Sequence, residues 1–202
     1  MSSTNRGYER HKVDFYVTPQ DCIKQFFGHW LDDLMGEFHD DQLSVGTDPD
    51  KAKWLDPCAG GDAKHKMSYP EVIKAEFDAE IGTIDYREDS LAERKEDYLL
   101  ADIIPEYYDV IITNPPFYIA REVIEKALKD VKTGGYVVML LRLNFFGSNQ
   151  RLDFWEKQLP TWAYVHHRRF SFTDDGKTDS IEYMHAVWQK DAEPAFTMLK
   201  VI

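Results

Sequence analysis

The run Tyr108-Asp109-Val110-Ile111-Ile112-Thr113 meets Asn114-Pro115-Pro116-Phe117, and that junction constrains the fold more than any other feature of the chain. The run is short and β-rich and reads as a buried strand. Two prolines remove two backbone donors and stiffen φ. The residue before a proline is pushed out of the α region. The strand must end there, in a rigid extended turn that carries an amide, two free carbonyls and a ring. Around it, strand and helix patterns alternate. Pro19 to about Met35 has helical apolar spacing at Cys22, Ile23, Phe26, Phe27, Trp30, Leu31 and Leu34. Pro19 suits a first helical turn. Ala52–Leu55 and Ile81–Asp85 read as strands, with a helix at Tyr69–Phe77 between them. Leu91–Glu96 is ambiguous. Tyr118–Val131 reads as a helix stopped by Thr133-Gly134-Gly135. Tyr136–Leu141 is a fully apolar, central strand. A short helix at Asn149–Gln158 closes at Pro160. Trp162–His166 and Tyr183–Gln189 read as the last two strands, paired antiparallel. This alternation predicts one mostly parallel α/β sheet. Residues 1–13 read as a flexible arm, Gly46–Asp50 as a loop, and 14–202 as one domain.

A chain of 202 residues fits a single domain with a sizeable core. Its 43% hydrophobic and 14% aromatic content is enough to fill one. No apolar run is long enough to span a membrane, and Met1–Lys12 is too polar for a secretory signal. Two cysteines, Cys22 and Cys58, give neither a disulfide framework nor zinc spacing. The expectation is a reduced, intracellular, cytoplasmic protein. The seven histidines show no metal pattern. Asp174-Asp175-Gly176-Lys177-Thr178-Asp179 lacks the spacing and terminal Glu of a calcium loop and reads as a hairpin loop.

The candidate site follows from strand ends, because ligands of open α/β sheets bind beyond the carboxyl ends of the strands. The Asn114 side-chain oxygen and the Pro115 carbonyl can accept from both hydrogens of an exocyclic amino group. Such acceptors favour a tetrahedral, nucleophilic nitrogen, a preorganised electrostatic effect combined with positioning. Pro116 stiffens the turn and Phe117 can stack on a planar base, which would have to leave its duplex to arrive there. The bland alternative is a strand-ending turn with a buried Phe. Upstream, Asp56-Pro57-Cys58-Ala59-Gly60-Gly61-Asp62 is a small-residue turn that backbone can bring close to a ligand. Asp85 ends the second strand and can accept from ribose hydroxyls. Asp97 can accept from an adenine amino group, with Tyr98 beside the ring. Ser68 and Tyr69 are candidates for the same pocket. Tyr16, Thr18 and Pro19 form a turn that can close the site from the other side. A small buried turn residue is the expectation for Cys58.

These residues, in this order, resemble the S-adenosylmethionine-dependent amino-methyltransferases of DNA. The likeness runs from roughly Phe15 to Trp188, and its specific parts are Asn-Pro-Pro-Phe and Asp-Pro-Cys-Ala-Gly. The chain also looks like compact phage or prophage methyltransferases, through Lys64–Pro70 and Arg169-Phe170-Ser171-Phe172. The resemblance implies a Rossmann-like class I methyltransferase fold with an antiparallel last strand. It implies an adenine-specific enzyme that methylates N6, with cytosine N4, RNA or a protein glutamine as alternative acceptors. A non-catalytic module is a further alternative, opposed by the intact turn. S-adenosylmethionine would be held by Tyr16, Thr18, Pro19, Asp56, Pro57, Cys58, Ala59, Gly60, Asp85, Asp97 and Tyr98. The chain departs from the usual Gly-x-Gly turn, since Gly60 and Gly61 are adjacent and Asp62 follows.

The net charge of −12, from 36 acids and 24 bases, is unusual for a DNA-binding protein. Overall charge does not decide a local surface. Lys64, Lys66, Arg142, His167, Arg168, Arg169 and Lys177 fall near strand ends or loops and are the candidates for nucleic-acid contact. The other reading is that they are scattered solvated charges. No separate target-recognition domain is visible, so recognition is expected to be either short and relaxed or lent by a partner subunit.

Overall fold

A computed structural model of the chain describes residues 16–35, 48–172 and 176–202. The arm over 1–13, part of the Gly46–Asp50 loop and Asp174-Asp175 lie outside those residues. The elements, in chain order, are α1 (Gln20–Met35), β1 (Trp54–Asp56), α2 (Ser68–Phe77), β2 (Ile81–Asp85), β3 (Arg94–Lys95) and β4 (Tyr108–Thr113). A 3-10 turn (Phe117–Ile119) leads into α3 (Ala120–Asp130) and β5 (Val131–Arg142). Two further 3-10 turns precede α4 (Leu152–Trp155), followed by β6 (Trp162–Val165), β7 (Tyr183–Gln189) and β8 (Met198–Val201).

One eight-stranded sheet has the order β3-β2-β1-β4-β5-β7-β6-β8. Strands β3, β2, β1, β4 and β5 are mutually parallel, and β7 runs antiparallel between β5 and β6. The expected pairing of the 162 and 183 runs is present, with Tyr164 opposite His185. Two strands were not anticipated. β3 is two residues long and β8 is an edge strand parallel to β6. The connections reverse direction between β1 and β4, so the carboxyl ends of these neighbours flank a crevice.

Helices cover both faces. On one, Ile23, Phe26, Phe27 and Trp30 of α1 pack with Tyr69, Val72 and Ile73 of α2 over Trp54, Ile112, Val138 and Val187. The α1 apolar stripe read from the sequence is the stripe that is buried. On the other face, Val123, Ile124 and Ala127 of α3 pack with Phe154 over Leu55, Ile111, Val137 and Met139. The alternation along β4 and β5 divides the core this way, because successive side chains point to opposite faces. No described helix is long and apolar enough to cross a membrane.

The helix ends at Asp130, and the Thr133-Gly134-Gly135 segment expected to stop it lies inside β5, which already begins at Val131. The register between β4 and β5 shifts between Tyr108 and Val110, and Gly134 takes φ 74° in that irregular stretch. Gly135 is required sterically, since a Cβ there would stand 2.6 Å from the Asp109 carbonyl and 2.8 Å from that of Lys132. Gly135→Ala should therefore destabilise the fold by about 1–3 kcal/mol, as overpacking does. Urea unfolding checks this, and an unchanged midpoint would show that the β4–β5 backbone yields freely.

Candidate active site

A cavity of about 340 Å³ opens at the β1–β4 crevice. Asp56, Pro57, Cys58, Ala59, Asp85, Asp97, Tyr98, Asn114, Pro116, Tyr16 and Thr18 all line it. Segments distant in sequence are thus brought to one wall. Gly60, Pro19, Pro115 and Phe117 are not on the lining.

The turn after β1 is held from within. The Cys58 N–H donates to Asp56 Oδ1 at 3.1 Å, and the Ala59 N–H to the Ile84 carbonyl at 3.0 Å. The Gly60 N–H donates to Asp85 Oδ2 at 2.8 Å. Gly60 and Gly61 have φ of 66° and 75°, the left-handed region that favours glycine. Two adjacent left-handed residues explain why the glycines are contiguous here. At Gly61 a Cβ would also press on Met67 and Leu91 at 3.0–3.1 Å.

Asp85 is buried and accepts from the Gly60 and Arg87 N–H groups, the latter at 2.8 Å, while the Arg87 Nε lies 3.4 Å away. The Arg87 Nη2 donates to the Gly61 carbonyl at 2.6 Å, which clamps the glycine turn to the end of β2. Asp97 caps its own turn by accepting from the Leu99 N–H at 2.9 Å. The Tyr98 hydroxyl is committed to Asp130 Oδ2 at 2.8 Å, tying the cavity wall to α3.

Asp56 is fully enclosed. Burial pushes its carboxyl up to about 7, opposed by hydrogen bonds from the Thr113 hydroxyl at 2.6 Å and the Cys58 N–H. Burial also pushes the Cys58 thiol well up, which keeps it protonated and unreactive.

At the Asn-Pro-Pro turn, the Asn114 Nδ2 donates to Thr18 Oγ1 at 3.0 Å. That bond fixes which way the amide faces and leaves Asn114 Oδ1 as an acceptor. The Pro116 carbonyl is used by the Ile119 N–H at 3.1 Å. Among the described residues no donor reaches the Pro115 carbonyl. Phe117 is packed beside the cavity, stacked on Tyr16 with centroids 6.5 Å apart and tilted against Tyr183 at 5.9 Å.

Several lining residues were not read from sequence. Tyr86 directly follows Asp85 and is 71% exposed at the cavity. An aromatic after a strand-ending acid was the available signal. Arg87, Leu99, Tyr118, Ile119 and Val123 complete the wall, with Ser68 and Tyr69. Tyr69 also begins a buried polar chain, its hydroxyl 2.9 Å from His185 Nε2, with His185 Nδ1 2.7 Å from His166 Nε2.

The basic candidates all lie at the carboxyl edge of the parallel strands. Lys64 and Arg168 are exposed, Lys66 pairs with Glu71 at 2.7 Å, and Arg169 with Glu182 at 3.2 Å. His167 Nδ1 lies 2.5 Å from the Ile202 carbonyl. Arg142 lies over Phe117, and Lys177 is exposed before β7. Among the described residues no cluster of three or more His, Cys, Asp or Glu could hold a metal.

No family model and no curated protein matches the sequence. Solved structures do match the fold. A Listeria monocytogenes protein assigned to the class I S-adenosylmethionine-dependent methyltransferases superposes with TM-score 0.60 at 16% identity, over 92% of this chain and 65% of that one. The fold is that of the class I methyltransferases. A type I restriction-modification methyltransferase subunit from Streptococcus thermophilus gives TM-score 0.57 at 11% identity, covering 79% of this chain and 44% of that one. A modification subunit assigned to a type I restriction enzyme of Vibrio vulnificus gives 0.53 at 13% identity, covering 93% and 47%. The chain therefore spans less than two thirds of the Listeria protein and under half of either modification subunit.

The buried titrating groups set a pH dependence. Burial, together with neighbouring His166, holds His185 well below the usual imidazole value. Burial, with His167 adding to it, pushes His166 down to about 4. Below the unfolded value of 6.5 the unfolded chain binds protons that the folded chain refuses, so both histidines cost stability as pH falls. Asp56 acts oppositely, since its raised folded value of about 7 means that acidification from 7 toward 3.8 relieves a penalty. Two histidines outweigh one carboxyl. From pH 6 to 5, stability should fall by about 1.4 kcal/mol per pH unit, one net proton's worth. Asp56→Asn should steepen that slope in urea titrations. A flat profile in both proteins would show that the histidines protonate without unfolding.

Proposed function

We propose that this chain transfers a methyl group from S-adenosylmethionine to the exocyclic N6 of adenine in DNA. The observation that carries the reading is the Asn114 amide on the cavity wall, held by Thr18 so that Oδ1 remains an acceptor, followed by a Pro115 carbonyl that no described donor occupies. Two acceptors one residue apart match the two hydrogens of an amino group.

The residues present fit the cofactor. Three carboxylates, Asp56, Asp85 and Asp97, line a cavity that would receive a sulfonium and an ammonium charge. Asp56 would face the methionine end, where a cation favours its ionised form. Asp85 would hold the ribose with the lone pairs left by the Gly60 and Arg87 N–H groups. Asp97 would read the adenine amino group, and Tyr86 offers a ring at the mouth. When bound, the cofactor supplies an electrophilic methyl group on sulfur.

The chain's own task is then to present the nitrogen. Asn114 Oδ1 and the Pro115 carbonyl orient its hydrogens and favour the lone pair as the new bond forms. Pro116 and the 3-10 turn behind it keep the acceptors from relaxing. Tyr16, on the cavity wall, is positioned to meet a base face. The same grip would serve cytosine N4. The choice of adenine follows the family resemblance of Asn-Pro-Pro-Phe. The two modification subunits among the fold neighbours support a DNA acceptor, and a partner subunit for target recognition.

Purified protein incubated with S-adenosylmethionine and methyl-free DNA, followed by nucleoside mass spectrometry, should yield N6-methyladenine. Asn114→Ala should lower turnover by about 2–4 kcal/mol of barrier, the loss of one preorganised polar group. Thr18→Val frees the amide to rotate and should cost about 1 kcal/mol in kcat. An Asn114→Ala protein with wild-type turnover sinks the assignment. N4-methylcytosine would correct the base, and methylation of only RNA or protein would correct the acceptor.

A further inference from the structure

Arg142 ends β5, the strand beside β4, and its guanidinium lies 4.5 Å from the centroid of the Phe117 ring. The mechanism above gives it no role. Its surroundings differ from those of several other arginines. Arg94, Arg121 and Arg169 each hold a carboxylate within 3.2 Å. Among the described residues no carboxylate comes within ion-pair reach of Arg142. Asp179 accepts from the Tyr183 hydroxyl at 2.7 Å, and the rest of the Arg142 guanidinium meets that same tyrosine, which stands opposite it in the β5–β7 ladder. The Arg142 Nε is shut off from water and has no hydrogen-bond partner. A buried donor without an acceptor is costly, most of all on a charged group.

The ring beneath the guanidinium is fixed by its neighbours. Phe117 stacks on Tyr16, which lines the cavity, and meets Tyr183 on another side. A base seated against Tyr16 would lie one ring from Phe117 and two layers from Arg142. Exposed Arg168 follows β6 on the same edge.

We propose that Arg142 grips a backbone phosphate beside the methylated base, with Phe117 as its platform. This inference rests on the amino-methyl transfer reading and deepens it. It makes the substrate a polynucleotide, recognised through its phosphodiester, and excludes a free nucleoside or a peptide. A planar guanidinium presents paired donors that match phosphate oxygens. The cation–π contact holds that fork in place before the ligand arrives. It also occupies a face of Phe117, which makes Tyr16 the ring that meets the base.

The test uses three variants and DNA oligomers, single-stranded and duplex. Arg142→Met and Arg142→Gln remove the charge, while Arg142→Lys keeps it. Oligomer affinity is measured against salt concentration, with S-adenosylmethionine affinity by calorimetry as the check on folding. The charge-free variants should bind the oligomers more weakly. Their log–log salt slope should be shallower by about 0.7 for single strands and about 0.9 for duplex, the loss of one phosphate contact. Arg142→Lys should restore the slope, and cofactor affinity should not change. A wild-type slope in a charge-free variant that still binds cofactor overturns the inference, even where turnover falls. A wild-type protein that binds cofactor but no oligomer at any salt overturns the underlying reading as well, and this is seen before any variant is made.

Discussion

The Thr113 hydroxyl donates to Asp56 across the carboxyl ends of the two central strands, at 2.6 Å and out of reach of water. The rest of the site depends on this bond. Asp56 opens the turn that shapes one half of the cavity, and Thr113 immediately precedes the Asn-Pro-Pro turn that shapes the other. A hydrogen bond to a buried carboxyl is worth more than one at the surface and is more costly to lose. It stabilises the ionised form of Asp56 and offsets part of the burial penalty, which still raises the carboxyl. It also sets the register of the two turns, since Trp54 and Leu55 pair with Val110 and Ile111 just behind them. A second bond, from Asn114 to Thr18, then fastens the segment before α1 over the same crevice. Three stretches separated by tens of residues meet through two short polar contacts on a rigid apolar sheet.

The parts legible in the sequence were those with a long period or a stiff backbone. The α1 stripe repeats over four turns, and its Phe26, Phe27 and Trp30 are the residues buried. The double proline forces a strand end wherever it lies. The illegible parts were short or set by distant partners. Two-residue β3 has no periodicity to detect, and its exposed Arg94 and Lys95 look like loop residues. In β8 half-buried Met198 and Lys200 alternate with exposed Leu199 and Val201, so its apolar residues do not mark the buried face. The Asn149–Gln158 helix shrinks to a 3-10 turn and four α residues, with Phe154 buried as its anchor. Within the site, Asn114, Asp56 and Asp85 were visible as acceptors at strand ends. The Thr18–Asn114 bond was not, because no local pattern predicts which hydroxyl will meet an amide 96 residues away.

Placement also bears on the tension between an acidic chain and the polyanionic substrate proposed for it. The parallel strands give the molecule two unlike edges. Asp48, Asp50, Asp78, Glu80 and Glu106 precede strands β1, β2 and β4, and Asp191 and Glu193 follow antiparallel β7. All of them sit at the edge opposite the cavity. At the cavity edge both signs of charge are present. Carboxylates gather beyond β1 and β2, on the side suited to a cationic cofactor. Arg142, Arg168, Arg169 and Lys177 lie beyond β5 and β6 and before β7, interspersed with Asp179 and with Glu182, which pairs with Arg169. Charges farther apart than about 8–10 Å are largely screened at ordinary salt, so the remote acids weigh little on a phosphate near Arg142. A net charge of −12 thus measures the whole surface, while binding would be decided by the few cations on one side of one edge.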